Sequence, residues 1–249
     1  MPQGISLAEA GAARLTGRTG MAIIREKKPL KGNAWMLEGL KAAIFDMDGT
    51  LLDSMSEWRK LNCSFVRDQG IELTAEQEKD LLSMSGMMVV EYVKEKFGID
   101  APFSMLLERS SRLMEPAYRR GLPPKDGAAA YLARLRARGV KCVICTATPS
   151  RLMMIALNNA GLVRDLDYIF STDMLGGSKA DPAFYDQLCA LIGEKKEDCV
   201  MFEDALSAMK GARGAGLGVV GVTDATNELD RAAIREICDV VIDSFDELE

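Results

Sequence analysis

The chain has 249 residues, 48% hydrophobic and 27% charged, enough for one α/β domain with an insertion or for two small domains. A formal charge of −6 argues against nucleic acid as a general partner, because phosphate backbones are gripped through a surplus of Lys and Arg. The lack of any histidine removes Ser/His/Asp and Cys/His hydrolysis, His-ligated zinc and His-based phosphotransfer together, so acid–base chemistry must use Asp, Glu, Lys, Tyr or Cys.

Residues 1–36 are rich in Gly, Ala and basic side chains and show no sustained period, so they read as a poorly ordered N-terminal extension. An apolar run over residues 42–45 follows and stops abruptly at Asp46-Met-Asp48-Gly49-Thr50-Leu-Leu-Asp53, the pattern of a buried parallel strand ending at a polar site. Two acids one residue apart, then a glycine, suit a metal ion with oxygen ligands, one nucleophilic carboxylate and one acid/base. An Asx-type turn after a strand is the plain alternative.

The next segment is helical, with Met55, Trp58, Leu61, Phe65 and Val66 on one face and Gly70 closing the helix. Thr74-Ala-Glu-Gln77 has capping-box form for a second helix, and further helices fit residues 87–97 and 104–120. Met84 to Met88 reads as a loop between helices, and Pro123-Pro124 ends the block.

From Asp126 onward helices and short apolar strands alternate. Helices are expected at 127–138, 150–160, 182–192, 207–215 and 227–238, and strands at 140–146, 168–171, 199–202, 218–222 and 239–242. This predicts an α/β fold: a Rossmann-like parallel sheet in three layers (α/β/α) with a helical cap inserted after the first strand. The core would comprise residues 37–53 and 122–249, and the cap residues 54–121. Cys142 and Cys145 lie three apart on one strand and should face opposite sides of the sheet, so no redox or zinc pair is expected. Absent a membrane-length apolar run or disulfide-framework spacing, the chain reads as a cytoplasmic protein with reduced thiols and no membrane partner.

Three further strand ends carry polar residues that a packed core would not require: Thr146-Ala147-Thr148, Lys179 ahead of Asp181-Pro182, and Glu203-Asp204. In a parallel sheet these ends share one edge, so Asp46, Asp48, Thr146, Lys179 and Asp204 could converge. Taken singly, Thr146 could start a helix, Lys179 could be a solvated loop residue, and Glu203-Asp204 could precede a helix as surface acids.

In order and in setting, these segments resemble the haloacid dehalogenase (HAD) superfamily, in the subgroup with a helical cap after the first strand. The resemblance covers roughly residue 37 to the C-terminus. It rests on the stretch from Phe45 to Asp53, on Val143-Ile-Cys-Thr146, on Lys179 with Pro182 and Phe184, and on Phe202-Glu203-Asp204. It implies a Mg²⁺-dependent phosphatase of a small phosphorylated metabolite, acting as monomer or homodimer. Asp46 would be nucleophile and metal ligand, and Asp48 the acid/base, ligating the metal through its carbonyl. Asp204 would be the remaining ligand and Glu203 an outer support. Thr146, Ala147 and Lys179 would bind the phosphoryl oxygens, and residues 49–53 would form a mobile flap.

Asp48 favours phosphate-ester cleavage over the dehalogenase and phosphonate-cleaving relatives, which lack an acid there. A β-phosphoglucomutase-like phosphosugar mutase is the rival, weakened because the mutases use a cap His near the position of Trp58. A non-catalytic binding protein of the same fold is the third reading. For cap contacts with substrate, Trp58, Arg59 and Met84 to Met88 are the candidates, although by pattern alone Trp58 reads as core and Arg59 as a solvated face.

Overall fold

Six short apolar segments pair into one sheet: β1 (Ala42–Phe45), β2 (Lys141–Thr146), β3 (Tyr168–Ser171), β4 (Cys199–Glu203), β5 (Gly218–Val222) and β6 (Val240–Ile242). The computed structural model describes residues 39–84, 86–223, 227 and 229–248; the extension expected over 1–36 lies outside the described residues. All pairings are parallel, in the order β3-β2-β1-β4-β5-β6. The chain winds outward from β1 through β2 to β3, then returns to β4 on the other side of β1. Such a reversal opens a crevice at the carboxyl edge between two neighbouring strands, here β1 and β4.

Strand alternation sends side chains to two apolar layers. Ala43, Phe45, Cys142, Ile144 and Phe202 enter one cluster; Ala42, Ile44, Val143, Cys145 and Met201 enter the other. Cys142 and Cys145 therefore lie on opposite faces, as their spacing predicts. Phe45 stacks on Phe202 at 4.6 Å between centroids, with Tyr131 and Phe245 packed around them, so the strands that end at the acids stand on a rigid aromatic base. The layers are built by α5 (Ala128–Ala137), α6 (Ser150–Asn159), the short α7 (Thr172–Leu175), α8 (Pro182–Ile192), α9 (Leu206–Ala215) and α10 (Arg231–Ile237).

Between β1 and α5 come four further helices in chain order, α1 (Met55–Arg67), α2 (Ala75–Ser83), α3 (Gly86–Phe97) and α4 (Phe103–Arg120). They enclose a third cluster of their own, including Phe65, Val66, Leu81, Val89, Val93 and Leu106. The predicted capping box is present, with the Thr74 hydroxyl accepting from the Gln77 amide and the Gln77 side chain accepting from the Thr74 amide. No helix among the described residues is long and apolar enough to cross a membrane.

Two local expectations need correction. The Met84 to Met88 segment is not a loop throughout, because α3 already starts at Gly86; the Asn62 amide donates to the carbonyls of Leu81 (2.9 Å) and Met84 (3.1 Å) and tightens the turn. The last helix begins at Arg231, with Asp230 as its N-cap, four residues later than its pattern suggests. Residues 49–53, expected as a mobile flap, are seated in this structure as a largely buried turn. Thr50, Leu51 and Leu52 are fully buried, Asp53 donates to the Pro123 carbonyl, and the Leu51 carbonyl accepts from the Lys125 amide. Two leucines in this turn plug the core cluster, so exposing it would cost their burial.

Candidate active site

Strand register brings the acids together. Phe45 pairs with Phe202, so the next residues along, Asp46 and Glu203, leave the sheet side by side, and the Asp46 amide continues the ladder to the Phe202 carbonyl at 2.9 Å. Carboxylate oxygens of Asp46, Glu203 and Asp204 lie within 4.8 Å of one another, all buried. Gly49 lets the turn after β1 come this close: its φ is +77°, and a Cβ there would lie 2.6 Å from the Asp204 carboxyl carbon. Asn227 donates to the Asp204 carbonyl at 3.2 Å and holds the opposite wall.

Lys179 enters from the loop ahead of α8. Asp181 caps that helix by accepting from the Ala183 amide at 2.9 Å, and Pro182 takes the first helical position. The loop lies directly on α9, where a Cβ on Gly211 would collide with the Lys179 carbonyl and the Ala180 backbone, so only glycine permits this seat. From it the buried ammonium donates to Asp46 and, at 2.8 Å, to Glu203 Oε2. Glu203 Oε1 accepts from the amides of Asp204 (3.2 Å) and Ala205 (3.0 Å), so both oxygens of Glu203 are committed to holding its neighbours.

Asp48 is supported from two sides. Its Oδ2 accepts from the Thr148 hydroxyl at 2.7 Å and from the Tyr118 phenol at 2.8 Å, while Oδ1 is buried with no hydrogen-bond partner. The Thr146 hydroxyl accepts from the Thr148 amide at 3.1 Å, which folds the segment after β2 toward the acid. Asp46, Asp48, Thr146, Ala147, Lys179 and Asp204 all line one cavity of about 410 Å³. Arg59 lines it too: far from being a solvated face, it is 5% exposed. Trp58 packs against the core cluster and also borders the cavity, beside Met55, Met84 and Leu106.

Tyr118 and Thr148 are the contacts that sequence reasoning did not assign. Thr148 stands in the strand-end segment and could have been read as a partner for an acid. Tyr118 looks like one more apolar position of an amphipathic helix, and only the fold brings it to Asp48, seventy positions away.

Electrostatics follow from packing several acids around one amine. Burial raises Asp46 from 3.8 to about 7, with Lys179 pulling it down and Glu203 pushing it up. Burial, then the carboxylates of Glu203 and Asp46, push Asp204 well above its ordinary value. For Lys179 burial acts downward, but Asp46 and Glu203 hold the ammonium well above the ordinary lysine value. The Tyr118 phenol is pushed up by burial and by the Asp48 carboxylate, so it remains a donor. Oxygen-only donors in a buried cluster with surplus negative charge fit a hard divalent cation. Asp46 and Asp204 can offer carboxylate oxygens to one, whereas Glu203 is already engaged by Lys179 and two amides.

A pH dependence follows, and its sign is fixed by the direction of these shifts. A carboxyl with a raised folded-state value takes up a proton that the unfolded chain does not hold, so the metal-free protein should gain stability as pH falls from about 8 to about 5. Asp173 and Asp243 are held below 3.8, and their contributions are lost only at more acid pH. In calorimetry with chelator, Tm should rise across that window, and added Mg²⁺ should raise Tm more at about pH 8 than at about pH 5. A metal-free Tm that fell steadily over the same range would contradict this electrostatic picture.

The chain is 27% identical over 189 residues to the validoxylamine A 7'-phosphate phosphatase of Streptomyces hygroscopicus subsp. limoneus, covering 74% of this chain and 85% of that protein. It is 26% identical over 213 residues to hexitol phosphatase B of Escherichia coli, covering 83% and 93%. In fold it is similar to an HAD hydrolase of family IA, variant 3, from Entamoeba histolytica, with a TM-score of 0.66 and 21% identity over 84% of this chain and 96% of that one. A sequence model of the haloacid dehalogenase-like hydrolases matches residues 40–216, and with the acids, lysine and hydroxyl gathered at one sheet edge, the chain belongs to that family.

Proposed function

We propose that the protein is a Mg²⁺-dependent phosphatase that hydrolyses a small organic phosphomonoester through an aspartyl-phosphate on Asp46. The observation that carries this reading is the pairing of two differently supported acids in one cavity: Asp46 against the Lys179 ammonium, and Asp48 with one oxygen doubly held and the other bare. Two carboxylates pushed into separate roles by their surroundings are what a nucleophile and an acid/base require. The named activities of the similar proteins, both phosphatases of phosphorylated small molecules, support the same assignment.

In the first half-reaction an Asp46 oxygen attacks phosphorus and the bond from phosphorus to the ester oxygen breaks. Asp48 Oδ1 delivers its proton to that departing oxygen, giving an alcohol. In the second, water attacks phosphorus and gives its proton to Asp48, and Asp46 leaves as carboxylate. Lys179 pulls Asp46 toward its ionised form and neutralises phosphoryl oxygens. The Thr146 hydroxyl and the Ala147 amide would bind the same oxygens. Bound by the carboxylates of Asp46 and Asp204 and the Asp48 carbonyl, Mg²⁺ would supply positive charge between two anions that otherwise repel.

The cavity's volume suits a ligand of metabolite size. Arg59 and Ser110 offer polar contacts among Met55, Trp58, Met84 and Leu106, so the leaving group would carry both apolar surface and hydroxyl or anionic substituents. Trp58 occupies the region where a mutase would place histidine, which favours hydrolysis over phosphoryl return to a sugar. The test is a panel of sugar phosphates, sugar-alcohol phosphates, nucleotides and a chromogenic aryl phosphate. Mg²⁺-dependent release of inorganic phosphate, abolished by chelator, is the expected result. No release from any ester would overturn the reading, and an isomeric sugar phosphate as product would replace it with a mutase.

A further inference from the structure

We infer that Tyr118 is a positioning residue for Asp48, and that the C-terminal half of α4, although part of the inserted block, belongs to the catalytic core. The inference rests on the acid role proposed above for Asp48.

The two ends of α4 pack into different cores. Leu106 joins the cluster enclosed by the inserted helices, whereas Met114, Ala117 and Tyr118 join the main cluster with Phe45 and Leu52. Pro116 lies inside the helix and has no N–H for the Arg112 carbonyl, so the turn preceding the core-packed end is loosened. That end is tied to α6 instead. Asn159 donates to the carbonyls of Tyr118 (2.7 Å) and Arg119 (3.3 Å), and the Arg151 guanidinium forks onto Glu115, with one bond at 3.1 Å. Asn159 and Arg151 both lie on the helix that follows the Thr146 strand end, so the frame that carries Thr148 also carries Tyr118.

The consequence falls on Asp48. Two donors converging on Oδ2, Tyr118 from α4 and Thr148 from the β2 end, hold the carboxyl group and leave Oδ1 as the oxygen free to face the leaving group. With the phenol removed, one donor remains and the group can rotate about it. Rotation would impair the proton transfers of Asp48, and the half-reaction that kcat/KM reports is the first: as the Asp46 oxygen bonds to phosphorus and the ester bond breaks, an alkoxide must be protonated by Oδ1. A nitrophenolate, stabilised by its ring, departs without that proton. Tyr118 therefore adapts the site to esters of aliphatic alcohols.

The discriminating experiment measures kcat/KM of the Mg²⁺-loaded wild type and Tyr118→Phe on an alkyl phosphate and on p-nitrophenyl phosphate. The alkyl ester should lose about tenfold or more, and the nitrophenyl ester less than about threefold, because only the former needs general acid help. Equal losses on both esters, or no loss on either, would overturn the inference, since a merely structural role does not sort leaving groups. If Tyr118→Phe does not fold, Asn159→Ala, which loosens the seat of Tyr118 from the outside, should show the same selectivity at smaller size, and a leaving-group-neutral loss there counts against it equally. Wild-type inactivity on both esters would instead remove the phosphatase reading, and this inference with it.

Discussion

Replacing Asp46 by Asn is expected to lower phosphate release by about 10⁴-fold or more, because an amide of the same shape cannot attack phosphorus and the covalent route closes. The fold should survive the change. The ladder bond of Asp46 to the Phe202 carbonyl is made by its backbone amide, which Asn keeps, and Lys179 keeps its second partner, Glu203, at 2.8 Å. In the metal-free protein the variant should be as stable as the wild type or more so above neutral pH. Burial raises Asp46 to about 7, which means that ionising it there opposes folding, and Asn carries no charge to bury. Activity by phosphate release and Tm with chelator therefore move in opposite directions or not together. A variant within about tenfold of wild-type turnover would sink the nucleophile assignment; one that unfolds would sink the account of why the buried Asp46 charge opposes folding.

Which parts of this were legible in the chain depends on how local their physics is. The run of four apolar residues before Asp46 becomes β1, because a buried parallel strand needs apolar side chains on both faces and its end is set by the first charge. Thr74 and Gln77 mark the start of α2 for an equally local reason, since each satisfies a backbone amide of the other. Asp46 and Glu203-Asp204 could be matched in advance because parallel topology sends every strand end to one edge, whereas Lys179 reaches that edge from the loop ahead of α8. What escaped is non-local. Arg59 is a candidate cap contact and does line the cavity, but its burial is not legible: its pattern is that of a solvated residue, and only the packing of the inserted helices buries it. Likewise nothing in the periodicity of α4 separates Leu106 from Tyr118, yet they pack in different cores; Pro116, the one break in the helix, was the available signal. The turn after Gly49 follows the same logic. The family resemblance implies a flap there, and only the fold shows that its leucines fill the main cluster beneath the site.

Lys179→Met should be the most damaging single change to stability at this site, and pairing it with Glu203→Gln should separate fold from function. Lys179 is the ammonium that faces Asp46 and Glu203, and removing it leaves two buried carboxylates without their counter-charge. Breaking a buried pair in this way costs about 3–5 kcal/mol, most of it the burden of the stranded charge. Turnover should fall by about 10²- to 10³-fold or more, since the site loses a donor to the charge that develops on phosphorus. It loses also the charge that pulls Asp46 toward ionisation: without Lys179 the nucleophile is pushed further toward its protonated form, the form that cannot attack. In the double variant one stranded charge is gone. The carboxamide oxygen introduced by Glu203→Gln could still accept from the amides of Asp204 and Ala205, which the glutamate now holds at 3.2 and 3.0 Å, so the turn after β4 keeps its support. Denaturant unfolding should then recover a substantial part of the lost stability while phosphate release stays as low as in the single variant. Recovery of both together would assign Lys179 a purely structural part, and recovery of neither would mean that it is Asp46 alone, and not the three-membered group, whose charge the ammonium balances.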